Sequence, residues 1–207
     1  MKYEVWEKLA HKYNNLWVQK YSLGPTRREV LKIVLPLLKE NNSLKILDIG
    51  CGTGQLINEI SKQYENVDYL GIDVAQNMIK EAKKNNIKNK NIKFKHCPIE
   101  KFNTKDKYDI IICTHAFPYF PNKEEILKKM YKLSNKNANI VIVNSSTNSI
   151  KDLIINFFLK ATTSKAKYLS IDEMKKLFKA SKLKINDIRI IRERKYMPTI
   201  ALFHIGR

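Results

Sequence analysis

The chain has 207 residues, with 39 Lys and Arg against 20 Asp and Glu and a formal net charge of +19. That length suits one domain with a sizeable core; no apolar run approaches a membrane span, and the three cysteines, Cys51, Cys97 and Cys113, lie too far apart for a metal or disulfide framework, so a soluble, reduced, cytoplasmic protein is expected. The basic balance is of a kind that attracts nucleic acid or anionic membrane, but the lysines are dispersed and Lys, Asn and Ile are abundant together, so solvated surface is expected, with nucleic acid as the alternative.

The N-terminal stretch MKYEVWEKLAHKY is charged and amphipathic, unlike a secretory signal. It opens a predicted helix from Tyr3 to Ser22, with Trp6, Leu9, Tyr13, Leu16 and Trp17 on one face. Gly24-Pro25 punctuates the chain. Thr26 then reads as an N-cap, with Glu29 completing a capping box, for a helix over Arg27 to Lys39 that Pro36 kinks or shortens.

A strand over Lys45 to Ile49 follows, then a glycine turn, a helix carrying Leu56, Ile57 and Ile60, and a strand from Val67 to Asp73. Further on come a helix over Ala75 to Asn85, a strand over Ile92 to His96, and a strand over Tyr108 to Thr114 whose continuous apolar run fits burial on both faces of a parallel sheet. Asn122 to Leu133 is helical and Ala138 to Val143 is a strand. Between Ser145 and Leu169, the residues Ile150, Leu153, Ile154, Phe157 and Phe158 form an apolar face flanked by lysines, readable as a cover over the pocket or as an amphipathic helix that touches membrane. Ser170 with Glu173 caps a helix over Ile171 to Ser181, and strands over Lys184 to Arg192 and Thr199 to Ile205 close the chain.

The stretch KILDIGCGTGQL, from Lys45 to Leu56, organises the rest. Gly50, Gly52 and Gly54 alternate through a strand-turn-helix unit, where glycines permit a tight turn, close backbone approach to a ligand, and helix–strand packing. Asp73 ends the second strand about 20 residues on, where a carboxylate can accept both hydroxyls of a ribose. The glycines are spaced more tightly than in the dinucleotide pattern, leaving no room for a pyrophosphate.

DIGCGTG followed by GIDVAQNMIKEAK resembles motifs I and II of the S-adenosylmethionine-dependent methyltransferases with the seven-stranded Rossmann-like fold; the resemblance is strong over residues 44–143 and loose elsewhere. It implies an α/β three-layer sandwich: a seven-stranded, mostly parallel sheet with an antiparallel last strand and helices on both faces. It implies one domain over 1–207, with a helical lid (1–40), a cofactor-binding core (41–147), a substrate-cover insertion (148–169) and a C-terminal helix and strands (170–207).

The same resemblance implies S-adenosylmethionine as cofactor, with Asp48 and the turn of Gly50, Cys51, Gly52 and Gly54 at its methionine end, Asp73 and Val74 at the ribose, and Met78 and Ile99 at the adenine. Many relatives carry an acid after the third strand; this chain has Cys97-Pro98, leaving the adenine to the Ile99 N–H or to Glu100. Thr114 and His115 would lie near the transferred methyl, His115 either as a general base or as a structural residue. Tyr13, Trp17, Tyr21 and Tyr119 are read as pocket walls or, for the first three, as packing; Arg27 or Arg28 as a partner for a carboxylate or as solvated. No metal ligand set is visible. DPPY- and NPPY-type signatures of adenine or cytosine N-methylation are absent, which argues against a nucleic-acid base as acceptor; a small-molecule acceptor is expected. An RNA or lipid methyltransferase, or a cofactor-binding protein without catalysis, is the alternative.

Overall fold

The computed structural model describes residues 4–41, 43–87, 89–163, 166–194 and 197–207, without the side chains of 158–163. Tyr3 and the Phe158 side chain therefore lie outside the described residues. Seven strands form one sheet: β1 Lys45–Ile49, β2 Asp68–Asp73, β3 Ile92–His96, β4 Tyr108–Thr114, β5 Ser134–Ser145, β6 Lys184–Ile191 and β7 Ile200–Gly206, in the order β3-β2-β1-β4-β5-β7-β6. β3, β2, β1, β4 and β5 pair in parallel, and β7 is antiparallel to both β5 and β6.

The period-2 alternation of strand side chains splits the core in two. Ile111 and Cys113 of β4 face one layer, with α5 (Lys123–Leu133) and α7 (Ile171–Ala180) against it through Ile126, Met130, Met174 and Phe178. Ile110 and Ile112 face the other, covered by α2 (Gly24–Glu40), α3 (Gln55–Ser61) and α4 (Gln76–Asn85) through Val34, Ile57 and Ile79. The layers and the antiparallel β7 are those expected. The strands open a crevice at their C-terminal ends between β1 and β4, where the strand order reverses, the place where open α/β sheets bind ligands.

The N-terminal segment departs from a single helix. α1 (Glu4–Leu9) passes into a 3₁₀ stretch over Ala10–Asn15, and after Leu16 a π-helical turn over Gln19–Leu23 runs directly into α2. Gly24-Pro25 therefore does not interrupt the chain: Gly24 is helical (φ −62°, ψ −53°) and Pro25 sits in the first turn, where its missing N–H costs nothing. Thr26 is consequently no N-cap, and α2 continues through Pro36 to Glu40. The Ser170–Glu173 capping box, by contrast, is formed in full.

α6 (Ile150–Thr163) carries the apolar stripe noted in the sequence. Its stripe of Ile150, Leu153, Ile154 and Phe157 exists, but faces outward, at 54–78% exposure. Asp152 and Asn156 are the buried side: the Asp152 carboxylate accepts the Thr199 N–H at 2.9 Å, and Asn156 donates to the Ser146 carbonyl at 3.0 Å. These two bonds fix α6 to the ends of β5 and β7 and so set which face is hidden. Among the described residues no helix is long and apolar enough to cross a membrane.

Candidate active site

The turn after β1 is built by left-handed backbone. Gly50, Gly52 and Gly54 have φ of +76°, +54° and +75°, a region costly for residues with a Cβ. Their roles differ. A Cβ on Gly50 would lie 2.3 Å from the Ala116 Cβ, and one on Gly54 2.7 Å from Phe94 Cζ, so both are packing contacts. A Cβ on Gly52 would meet only Tyr13, at 3.7 Å. Gly52 is therefore the glycine whose backbone faces open space. Its N–H donates to Asp73 Oδ2 at 2.9 Å, and the Ala75 N–H donates to Oδ1 at 2.8 Å, which fixes the Asp73 carboxylate at the tip of β2.

Above these strand ends lies a cavity of about 690 Å³, within the roughly 300–1,000 Å³ range of small-molecule sites. Gly50, Gly52, Asp73 and Val74 form its floor with Met78; Ile99 and Glu100 line one wall, and Thr114, His115 and Tyr119 another. Trp6, Leu9, Tyr13, Leu16 and Trp17 roof it, so the stripe expected on one helical face does point one way even though the helix is broken. Trp6 stands edge-on to both Tyr13 and Tyr119, with centroids 6.2 and 5.6 Å away.

Of the residues expected at a site, Tyr21 lies outside this lining and stacks with Arg194. Gly54 is covered by Phe94. Asp48, Cys51 and Arg27 instead line a smaller adjoining cavity of about 50 Å³, together with Gly50, Gly52 and His115. Arg27 is engaged there: it donates to Glu59 at 2.7 Å, Gln19 at 2.9 Å and Gln55 at 3.1 Å. Arg28 pairs with Glu193 at the surface.

The charges here are unusual. Asp48 is buried, its Oδ1 makes no hydrogen bond, and desolvation with the nearby Asp73 carboxylate pushes its carboxyl up to about 7. Asp73 is also shifted upward by burial, against the three backbone N–H groups that favour its charged form. His115 has φ +57°, its N–H bonded to the Val143 carbonyl at 2.6 Å and its Nε2 2.8 Å from Thr26 Oγ1. Burial and the Arg27 charge hold the imidazole down at about 4, so it is neutral near pH 7. Among the described residues no cluster of His, Cys, Asp or Glu could hold a metal ion.

Four residues contribute beyond those expected from the sequence: Trp6, Glu7, Tyr168 and Met197. Trp6 lies on the aromatic stripe and could have been drawn into the pocket on that ground. Glu7 accepts from the Gln76 and Asn77 N–H groups at 2.7 and 2.8 Å, capping α4 from another helix, and no local pattern announces such a contact. Tyr168 and Met197 reach the cavity from chain far from the glycine turn.

Residues 40–197 match the family described as a methyltransferase domain. The chain belongs to that family. This methyltransferase domain is 28% identical over 130 residues to malonyl-[acyl-carrier protein] O-methyltransferase of Bacillus cereus, covering 60% of the chain and 47% of that protein. The corresponding match in Bacillus anthracis is 30% identical and covers 44% of the chain and 34% of the protein, so the domain spans between about a third and a half of these relatives. It is 25% identical over 203 residues to ubiquinone biosynthesis O-methyltransferase of Rickettsia akari, covering 88% of the chain and 78% of that protein. Among solved structures, the plantazolicin methyltransferase BamL, in complex with a triazolic desmethylPZN analog and SAH, superposes with TM-score 0.76 at 18% identity over 100% of this chain and 95% of BamL. Magnesium protoporphyrin IX methyltransferase from Synechocystis PCC 6803, with bound SAH, gives TM-score 0.73 at 15% identity over 93% and 88%. At these identities the superpositions establish the shared fold.

Proposed function

We propose that this domain, located in the cytoplasm, binds S-adenosylmethionine and transfers its methyl group to a nucleophile on a small, largely apolar molecule. The carrying observation is the chemistry of the two adjoining cavities at the strand ends: acidic and glycine-rich toward β1 and β2, mainly apolar and aromatic elsewhere, with Glu100, Thr114 and His115 among the polar groups. The residues fit the cofactor. A buried carboxylate oxygen without a partner, Asp48 Oδ1, suits a cationic group, and the open side of Gly52 admits close backbone approach. Asp73, pre-oriented by two N–H groups, suits a ribose diol. Met78 and Ile99 offer apolar surface to the adenine, with Glu100 beside them.

The bound cofactor would supply an electrophilic methyl on a positively charged sulfur, already a good leaving group. The work left to the protein is alignment and exclusion of water. Trp6, Tyr13 and Tyr119 provide the dry wall. His115, neutral and weakly basic, serves better as a fixed hydrogen-bonding group than as a strong proton acceptor. Two relatives carry O-methyltransferase in their names, which favours an oxygen nucleophile. Incubation with S-adenosylmethionine and a panel of apolar carboxylic acids and phenols, read by mass spectrometry, tests this: a methylated acceptor with matching S-adenosylhomocysteine supports it, and cofactor binding with no turnover on any acceptor favours a non-catalytic role.

A further inference from the structure

We propose that the outward face of α6 docks on an anionic lipid surface, placing the cavity mouth against the bilayer. The apolar stripe of this helix is turned to solvent: Ile150 is 78% exposed, Leu153 56% and Ile154 54%. The spacing is that of an amphipathic helix, yet the polar residues Asp152 and Asn156 are inside, hydrogen-bonded to the sheet ends. A helix bound this way cannot roll its apolar stripe inward without breaking both attachments. Large exposed apolar faces of this kind mark interaction sites.

Two observations select lipid. The first is continuity with the cavity. Ile155 of the same helix lines it, as do Trp17, itself 59% exposed, and Met197. The helix that carries the apolar face therefore also contributes to the cavity lining. The second is charge. Lys151 on α6 is exposed, and so are Lys20, Lys167 and Arg194, each within three residues in sequence of a lining residue (Val18, Tyr168 and Met197), on a chain with net charge +19. Aromatic and aliphatic side chains rimmed by Lys and Arg are the pattern of a helix that lies in the headgroup layer rather than crossing it, and α6, at 14 residues, is too short to cross. Resting on the proposed chemistry, this surface assigns the acceptor to apolar molecules drawn from a membrane.

Flotation with vesicles of phosphatidylcholine alone and of phosphatidylcholine with phosphatidylglycerol tests the docking, using wild type and Leu153→Ser/Ile154→Ser. Calorimetric binding of S-adenosylhomocysteine by both proteins reports the fold and the cofactor reading separately. The expected result is flotation with the anionic vesicles, weakened by raised salt and by about tenfold or more in the variant, with cofactor binding unchanged. Absence of wild-type binding to anionic vesicles overturns the proposal, as does binding that the variant retains in full. Wild-type dimerisation lost in the variant, with no flotation, would assign the face to a second copy instead.

Discussion

Thr26 Oγ1 lies 2.8 Å from His115 Nε2, joining the first turn of α2 to the end of β4 across 89 residues of sequence. The contact holds a histidine that adopts left-handed backbone in the wall of the cavity. Thr26→Val keeps the shape and removes the hydroxyl, leaving a buried ring nitrogen unsatisfied. A loss of about 1–3 kcal/mol is expected, measurable by urea unfolding. Unchanged stability would show that the imidazole finds water instead.

His115 and Asp48 line the same small cavity and titrate with opposite consequences. The imidazole falls from 6.5 to about 4 on folding, so its contribution is complete above pH 6.5 and is lost as pH drops toward 4. The Asp48 carboxyl rises from 3.8 to about 7, so its contribution is complete below pH 3.8 and is lost as pH climbs through 7. Each is worth on the order of 3–4 kcal/mol over its range, and between pH 4 and 6.5 they oppose. Asp48→Asn should therefore expose the histidine: the variant's unfolding free energy rises with pH across that interval, more steeply than the wild type's. Parallel pH profiles for the two proteins would contradict this.

Glu7 is the attachment of α1 to α4, through the N–H groups of Gln76 and Asn77. Glu7→Ala leaves that helix end without its acceptor, at a cost of about 1 kcal/mol. Because α1 carries Trp6 over the cavity, the clearer signal is local. Hydrogen exchange in residues 4–15 should accelerate while exchange in β1 and β4 stays slow. Equal exchange in variant and wild type would mean that packing alone holds the roof.

Gly50 has a conformational and a steric requirement together. Gly50→Ala places a Cβ at φ +76° and 2.3 Å from the Ala116 Cβ. Destabilisation of at least about 2 kcal/mol is expected, seen as a lowered midpoint in urea, and a midpoint within error of wild type would refute the packing role.

The strands were readable because burial on both faces writes a continuous apolar run, as in Ile110, Ile111 and Ile112, and the bounds of β3 and β4 are those expected. The same Ser/Thr-x-x-Glu pattern succeeded at Ser170 and failed at Thr26. The difference lies outside the pattern: residues 19–23 are already helical, so α2 has no free start to cap, and the Thr26 hydroxyl is taken by His115. Periodicity also found the stripe on α6 but not its direction, which Asp152 and Asn156 set through bonds to distant chain. At the cavity, the glycine turn and Asp73 stand out from sequence, whereas Tyr168 and Met197 arrive through topology alone.

The most direct test of the account is calorimetric titration of S-adenosylmethionine and S-adenosylhomocysteine into wild type and Asp73→Asn. The expected result is saturable binding of both to wild type, weakened by about tenfold or more in the variant as the charged acceptor at the tip of β2 is lost. No binding to wild type, or equal binding to both proteins, would contradict it.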